Sequence, residues 1–249
     1  MRGKWITNGL ARVMALALLL SLGAQTALAA PPAQIRLASE VWIDHTNADG
    51  SGMAWDIFRA VFEPVGISLK IHSVPYTRSV GLVQRGGADA FVGSYLNEIQ
   101  EGVFYPRWHY DADHISALGL ADAPPVSLQN VGTFRLAWVR GYSYEKYLPH
   151  LNQYQEVYRR DGILSMLEMK HVDFYLDART EVDEVIKEAD DRSRFRITEL
   201  TQLPLYLGFA NTADGHALAE VYDTRMDQLV KDGSLRLIYE RWQQPYPFE

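Results

Sequence analysis

Residues 52–74, GMAWDIFRAVFEPVG running into ISLKIHSV, decide the fold class. Met53, Ile57 and Val61, with Phe58 and Phe62, recur at the spacing of one helix face, and Pro64 and Gly66 end the helix. Residues 67–74 then alternate apolar and polar as a strand does, until Pro75 breaks them. Upstream, residues 35–39 (IRLAS) form a short alternating strand, and Asp49-Gly50-Ser51-Gly52 is the loop that leads from it into the helix. Downstream, a helix through Val80, Leu82 and Val83 stops at Gly86-Gly87, and residues 88–95 (ADAFVGSY) form the next strand. The alternation of strand and helix predicts an α/β fold with a parallel sheet and crossover helices.

Residues 172–179 (VDFYLDAR) echo 88–95, since both follow an apolar-striped helix and both place a small or β-branched residue and Asp ahead of an apolar run. Two similar lobes would produce this echo. Between the copies, Ala123-Pro124-Pro125 reads as a stiff connector, and residues 134–139 (FRLAWV) as the opening strand of the second lobe. Two helices close the chain, one capped by Asp214 and the other by Ser234, with Gly233 between them.

At the N-terminus Arg2, Lys4 and Arg12 precede an apolar run over 13–22 and small residues ending in Ala27-Leu28-Ala29, the order of a secretory signal. The run is too short to span a bilayer, so cleavage after Ala29 and a periplasmic mature protein are expected. Cleavage takes the formal charge from −7 to −10, which argues against nucleic acid or an anionic membrane surface as partner. There is no cysteine, hence no disulfide, thiolate metal site, cysteine nucleophile or lipid-modified cysteine. Some 220 mature residues, in a chain that is 47% hydrophobic, suffice for a core without staples.

The run from Gly52 to Gly66, then GISLKIHSVPYTR, GGADAFVGSY and the closing DGSLRLIYERWQ, resembles the family 3 extracellular solute-binding proteins, whose members serve amino-acid uptake transporters. The resemblance covers nearly all of the mature chain in order. It implies a two-lobed periplasmic binding protein fold of type 2, with two crossing strands as hinge. Lobe 1 would be 33–122 with 204–249, and lobe 2 would be 126–200. It implies further a monomer that carries a small polar, amino-acid-like ligand to an inner-membrane ABC-type transporter, with no cofactor and no chemistry.

The site expectations follow the loops. Arg140-Gly141-Tyr142-Ser143 lies between the FRLAWV strand and a helix expected near Tyr144, so backbone N–H groups and the Ser143 hydroxyl would face the cleft and attract a carboxylate. The turn reads equally as an ordinary strand-to-helix connection with a serine cap. The family uses it for the ligand carboxylate, with Gly141 and Ser143 matching its pattern. Asp177 stands where the family places the carboxylate that holds a ligand ammonium, the other reading being a solvated loop acid. Where the family carries an arginine that forks onto the ligand carboxylate, this chain has Gln100 or a neighbour, which puts a standard α-amino acid in doubt. Arg78 would either replace that charge or be a surface helix residue. Trp42, Tyr76, Tyr95 and Tyr142 are expected to rim the cleft.

His109, Asp111, Asp113 and His114 (RWHYDADH) are residues of metal-ligating type close together, but no second cluster accompanies them, and no metal is assigned. No nucleophile elbow, zincin, Walker or dinucleotide motif is present in the sequence. Two other functions share the same sequence features: a sensing subunit that presents its ligand to a membrane signalling receptor, and an exported cyclohexadienyl dehydratase with Glu98 or Glu40 as proton donor.

Overall fold

The helix encoded in 52–66 forms as α1, Met53–Phe62, and tightens into a single 3-10 turn, Glu63–Val65, where Pro64 removes a helical donor. Gly66 closes it in the left-handed conformation at φ 81°. Met53, Trp55, Ile57, Phe58, Val61 and Phe62 are all buried, and burying each such apolar side chain contributes about 1.5–3 kcal/mol. In the computed structural model residues 31–248 are described, so the expected signal segment, 1–29, lies outside the described residues.

The strands run β1 (Gln34–Ser39), β2 (Ser68–Ser73), β3 (Ala90–Tyr95), β4 (Val103–Phe104), β5 (Asp111–Leu120), β6 (Leu136–Val139), β7 (Tyr154–Val157), β8 (Phe174–Ala178) and β9 (Phe195–Ala210). Between them lie α2 (Tyr76–Gln84), α3 (Ile163–Glu168) and α4 (Arg179–Lys187), and after β9 come α5 (Ala213–Lys231) and α6 (Arg236–Trp242). The sheet order is β2-β1-β3-β9-β5-β8-β6-β7, with β4 on β9. β1 pairs in parallel with β2 and β3, and β6 in parallel with β7 and β8, so the sheet has two parallel halves. The antiparallel pair β5 and β9 joins them.

Those two strands make the crossings. β9 pairs with β3 at 205–209 and with β5 at 195–205, while β5 turns to β8 from Ile115 onward, next to an irregularity between Ile115 and Ser116. The first crossing therefore comes before the Ala123-Pro124-Pro125 connector expected from sequence. Prolines mark where pairing stops, but a continuous strand carries the chain from one half to the other. The final helices form where expected with different caps. Thr212 accepts from the Gly215 amide at 3.1 Å, placing Asp214 in the first turn, and the Asp232 carboxylate, rather than Ser234, organises the turn before α6.

Candidate functional site

The loops after β1, β3, β6 and β8 face one another across a cavity of about 400 Å³, floored by β5 and β9. These are the carboxyl ends of the parallel strands, where an open α/β sheet leaves its crevice. Trp42 follows β1, Tyr76 heads α2 and Tyr95 ends β3, while Tyr142 comes from the turn after β6 in the other half. All four line the cavity. The Trp42 indole N–H donates to the Tyr142 hydroxyl at 3.2 Å, and the Tyr76 and Tyr142 rings meet edge-on with centroids 5.8 Å apart. Gly93, at φ 85°, makes room for Trp42, since a Cβ there would stand 2.4 Å from its ring.

Asp177 lines the cavity and is only 1 % exposed. Its oxygens are already engaged: Arg160 Nε donates to Oδ2 at 3.0 Å, the Tyr175 hydroxyl donates to the same oxygen, and the Ala178 amide donates to Oδ1 at 2.8 Å. Arg160 also meets Glu181 at 3.1 Å and Glu40 at 3.5 Å, and donates to the Tyr142 hydroxyl at 2.8 Å. One guanidinium thus serves three carboxylates, and Glu40, at the end of β1, belongs to the opposite half of the sheet. Burial opposes the Arg160 charge, yet Asp177 and Glu181 hold its pKa well above the usual arginine range. Burial pushes the Glu181 carboxyl up, with Arg160 pulling the other way and Asp177 and Glu40 adding to the rise. Sequence reasoning missed Arg160. In YRRDG it reads as a surface turn, and no periodicity says which of two adjacent arginines turns inward.

Glu98 sits in the turn after β3, 4 % exposed. Its Oε2 accepts from the Tyr76 hydroxyl at 2.6 Å, Ser94 Oγ at 3.0 Å and the Tyr95 amide at 3.1 Å, while Oε1 is buried with no partner. Burial raises its pKa to about 7, against those hydrogen bonds and Lys146. Asp111 and Asp113 stand on one face of β5 and line the same cavity. Asp113 accepts from the Tyr95 hydroxyl at 2.9 Å and is raised to about 7 by burial, and burial raises Asp111 well above its ordinary range. His45 Nε2 lies 3.7 Å from Asp111, but burial lowers its pKa to about 4, so at neutral pH this contact is no ion pair. The sequence marked Asp111 and Asp113 through their i, i+2 spacing. Among the described residues, no three His, Cys, Asp or Glu side chains are placed to share one metal ion.

The remaining expected site residues fall outside the cavity lining. Arg78 and Gln100 are exposed, and the neighbour of Gln100 that does line the cavity is Glu98, a residue of opposite charge to the expected arginine. Arg140 is exposed and lies against the Tyr158 ring, 5.2 Å from its centroid. The helix expected near Tyr144 is only a 3-10 turn, Tyr144–Lys146, too short to gather a helix-end field. The Gly141 amide donates to the Glu156 carboxylate at 2.9 Å, and the Ser143 hydroxyl points back to the Gly141 carbonyl at 3.5 Å. Gly141 packs on the start of α2, where a Cβ would stand 2.6 Å from Thr77 Cγ2.

No family model and no curated protein sequence matches the chain. Solved structures do. The substrate-binding protein of an amino acid ABC transporter superposes with a TM-score of 0.66 at 16% identity, over 84% of this chain and 98% of that one. The chain has the two-lobed periplasmic binding protein fold. The GluR0 ligand-binding core from Nostoc punctiforme, in complex with L-glutamate, shares it with a TM-score of 0.67 at 14% identity, over 85% of this chain and 100% of the other. So does a histidine kinase sensor domain with similarity to periplasmic binding proteins, at 0.65 and 14% identity over 84% and 95% of the two chains. In the two-lobed fold the two parallel halves are the lobes, β5 and β9 are the strands between them, and the cavity is the cleft.

Proposed function

We propose that this chain is a periplasmic solute-binding protein that closes its two lobes on a small polar ligand and hands it to an inner-membrane ABC-type transporter, with no chemistry on the ligand. The observation that carries the reading is the cleft itself: an aromatic-walled cavity whose lining residues come from both halves and touch at Trp42 and Tyr142, with Glu40 and Arg160 linking the halves beside it. Such sites bind by burying most of a ligand's surface against aromatic faces and orienting it with a few polar groups. The neighbours named for amino acid transport support the transporter role, and the N-terminal charge, apolar run and small residues support export. The lobes are proposed as 33–122 with 204–249 and as 126–200, and the working form as a monomer.

A thermal-shift screen of amines, amino acids, dipeptides and organic acids tests this directly. A ligand present at 100 times its dissociation constant adds about 2.7 kcal/mol when it binds only the folded form. A screen in which nothing shifts the melting temperature would remove the reading. A sensing role for a signalling receptor uses the same lobes and is compatible with the kinase sensor neighbour. Co-purification with a permease rather than a receptor kinase separates the two. Incubation with prephenate is expected to leave it unchanged, and its conversion would identify the chain as an enzyme, with Glu98 or Glu40 as the proton donor to be separated by mutation.

A further inference from the structure

The cleft is lined by Glu98, Asp111, Asp113, Asp177, Glu181 and Glu199, and the cations beside them are spoken for. Arg160 is shared among Asp177, Glu181 and Glu40, and Arg179 pairs with Asp183 at 2.9 Å. His114 faces Glu199 at 3.0 Å. What has no lysine or arginine ion pair of its own is the first-half end, where Glu98 and Asp113 hang from Tyr76 and Tyr95 and Asp111 stands beside Asp113. Glu98 is almost fully buried, lines the cavity, and has an oxygen with no hydrogen-bond partner. An acceptor buried without a partner is costly, so its retention in the cavity wall needs a reason, and a ligand donor supplies one.

We infer that the cleft takes a small organic amine bearing no carboxylate, its ammonium group held by Glu98 and Asp113 with Asp111 behind them and its apolar part against Tyr76, Tyr95 and Trp42. The inference rests on the reading of this cleft as the ligand site. A carboxylate on the ligand would meet acids at this end and find no uncommitted guanidinium among the lining residues. An ammonium gains a charge-assisted hydrogen bond and, over the aromatic faces, a cation–π attraction. The dispersed acids fit an extended organic cation better than a metal ion, which needs its ligands convergent.

Proton linkage follows. Glu98 is faced by Tyr76, Tyr95, Tyr105, Tyr147 and Lys146, and Asp113 by Tyr95, Tyr110, Tyr144, His114, Asp111, Asp177, Glu181 and Arg160. Burial keeps both carboxyls protonated up to about pH 7. An ammonium needs them ionised, so amine binding releases protons and tightens as pH rises from 6 to 8.

Isothermal titration of the mature protein with 1,5-diaminopentane and with L-lysine, which is the same diamine carrying a carboxylate, tests the class. The panel adds 1,4-diaminobutane, a linear triamine, choline, L-glutamine and succinate. The expected result is that an amine without a carboxylate binds at least tenfold tighter than L-lysine, L-glutamine or succinate, and about tenfold tighter at pH 8 than at pH 6. Glu98→Gln should weaken it tenfold or more while circular dichroism shows the fold intact. Tighter binding of a carboxylate-bearing solute, or amine affinity indifferent to pH in the wild type, overturns the amine inference and leaves the binding-protein reading standing. Binding of nothing in the panel overturns both.

Discussion

Arg160 shares one positive charge among three acids, which changes what Asp177 is for. As a free ammonium anchor, Asp177 would tolerate Asn with little loss of stability. As the buried partner of Arg160 and Tyr175, it would not. Breaking a buried ion pair from one side costs about 3–5 kcal/mol when nothing else remains. Arg160 keeps Glu181 and Glu40, so Asp177→Asn is expected to destabilise the protein by about 1–3 kcal/mol in urea denaturation. Glu98 and Asp113 make the opposite kind of prediction. Their pKa values rise on folding from 4.5 and 3.8 to about 7, so the folded chain holds these protons more tightly than the unfolded chain does. That stability is fully present below about pH 4 and is lost as pH rises through 7. The ligand-free protein should therefore lose stability between about pH 4.5 and 7 and level off above it, with Glu98 contributing on the order of 3 kcal/mol. Glu98→Gln keeps an oxygen for the same three donors and should flatten this dependence, as measured by melting temperature across that range.

At the scale of elements, the turn after β6 is one of the places where the two lobes meet. Gly141, at φ 93°, presses against Thr77 on α2 with no room for a methyl group. Gly141→Ala combines an unfavourable backbone conformation, about 1–3 kcal/mol, with a clash that exists only where the two lobes touch. Ligand affinity should fall ten- to a hundredfold, more than any fall in melting temperature accounts for. Thr77→Ala added to Gly141→Ala removes the opposing methyl and should restore part of the affinity but none of the backbone strain. If the second substitution restores nothing, the contact plays no part in closure.

At the scale of the molecule, β5 and β9 are the strands between the lobes, and the contacts across the cleft include Trp42 to Tyr142, Lys146 to the Glu98 carbonyl and Arg160 to Glu40. Such an interface favours a hinge whose closed form is chosen by the ligand's differential affinity. Small-angle scattering should show the radius of gyration falling when the ligand from the screen is added. Arg160→Met, which cuts the link to Glu40, should widen the ligand-free ensemble. An unchanged radius on tight binding would mean that the lobes do not move.

The α/β class, the order of most elements and the aromatic walls were legible in the sequence because local periodicity and turn residues dictate them. α1 and β3 follow from the spacing of Met53, Ile57 and Val61 and from the apolar run before Tyr95. The charge balance of the cleft was not legible. It depends on which side chains from distant loops turn inward: Arg160 onto Asp177 and Glu40, Glu98 under Tyr76, Asp113 beneath Tyr95. Each of those residues sits in a segment whose local pattern is that of a solvated turn or a polar strand. Burial, and with it the selection of charge, arises only when two halves far apart in the chain close over one cavity, and that was decided by the tertiary structure alone.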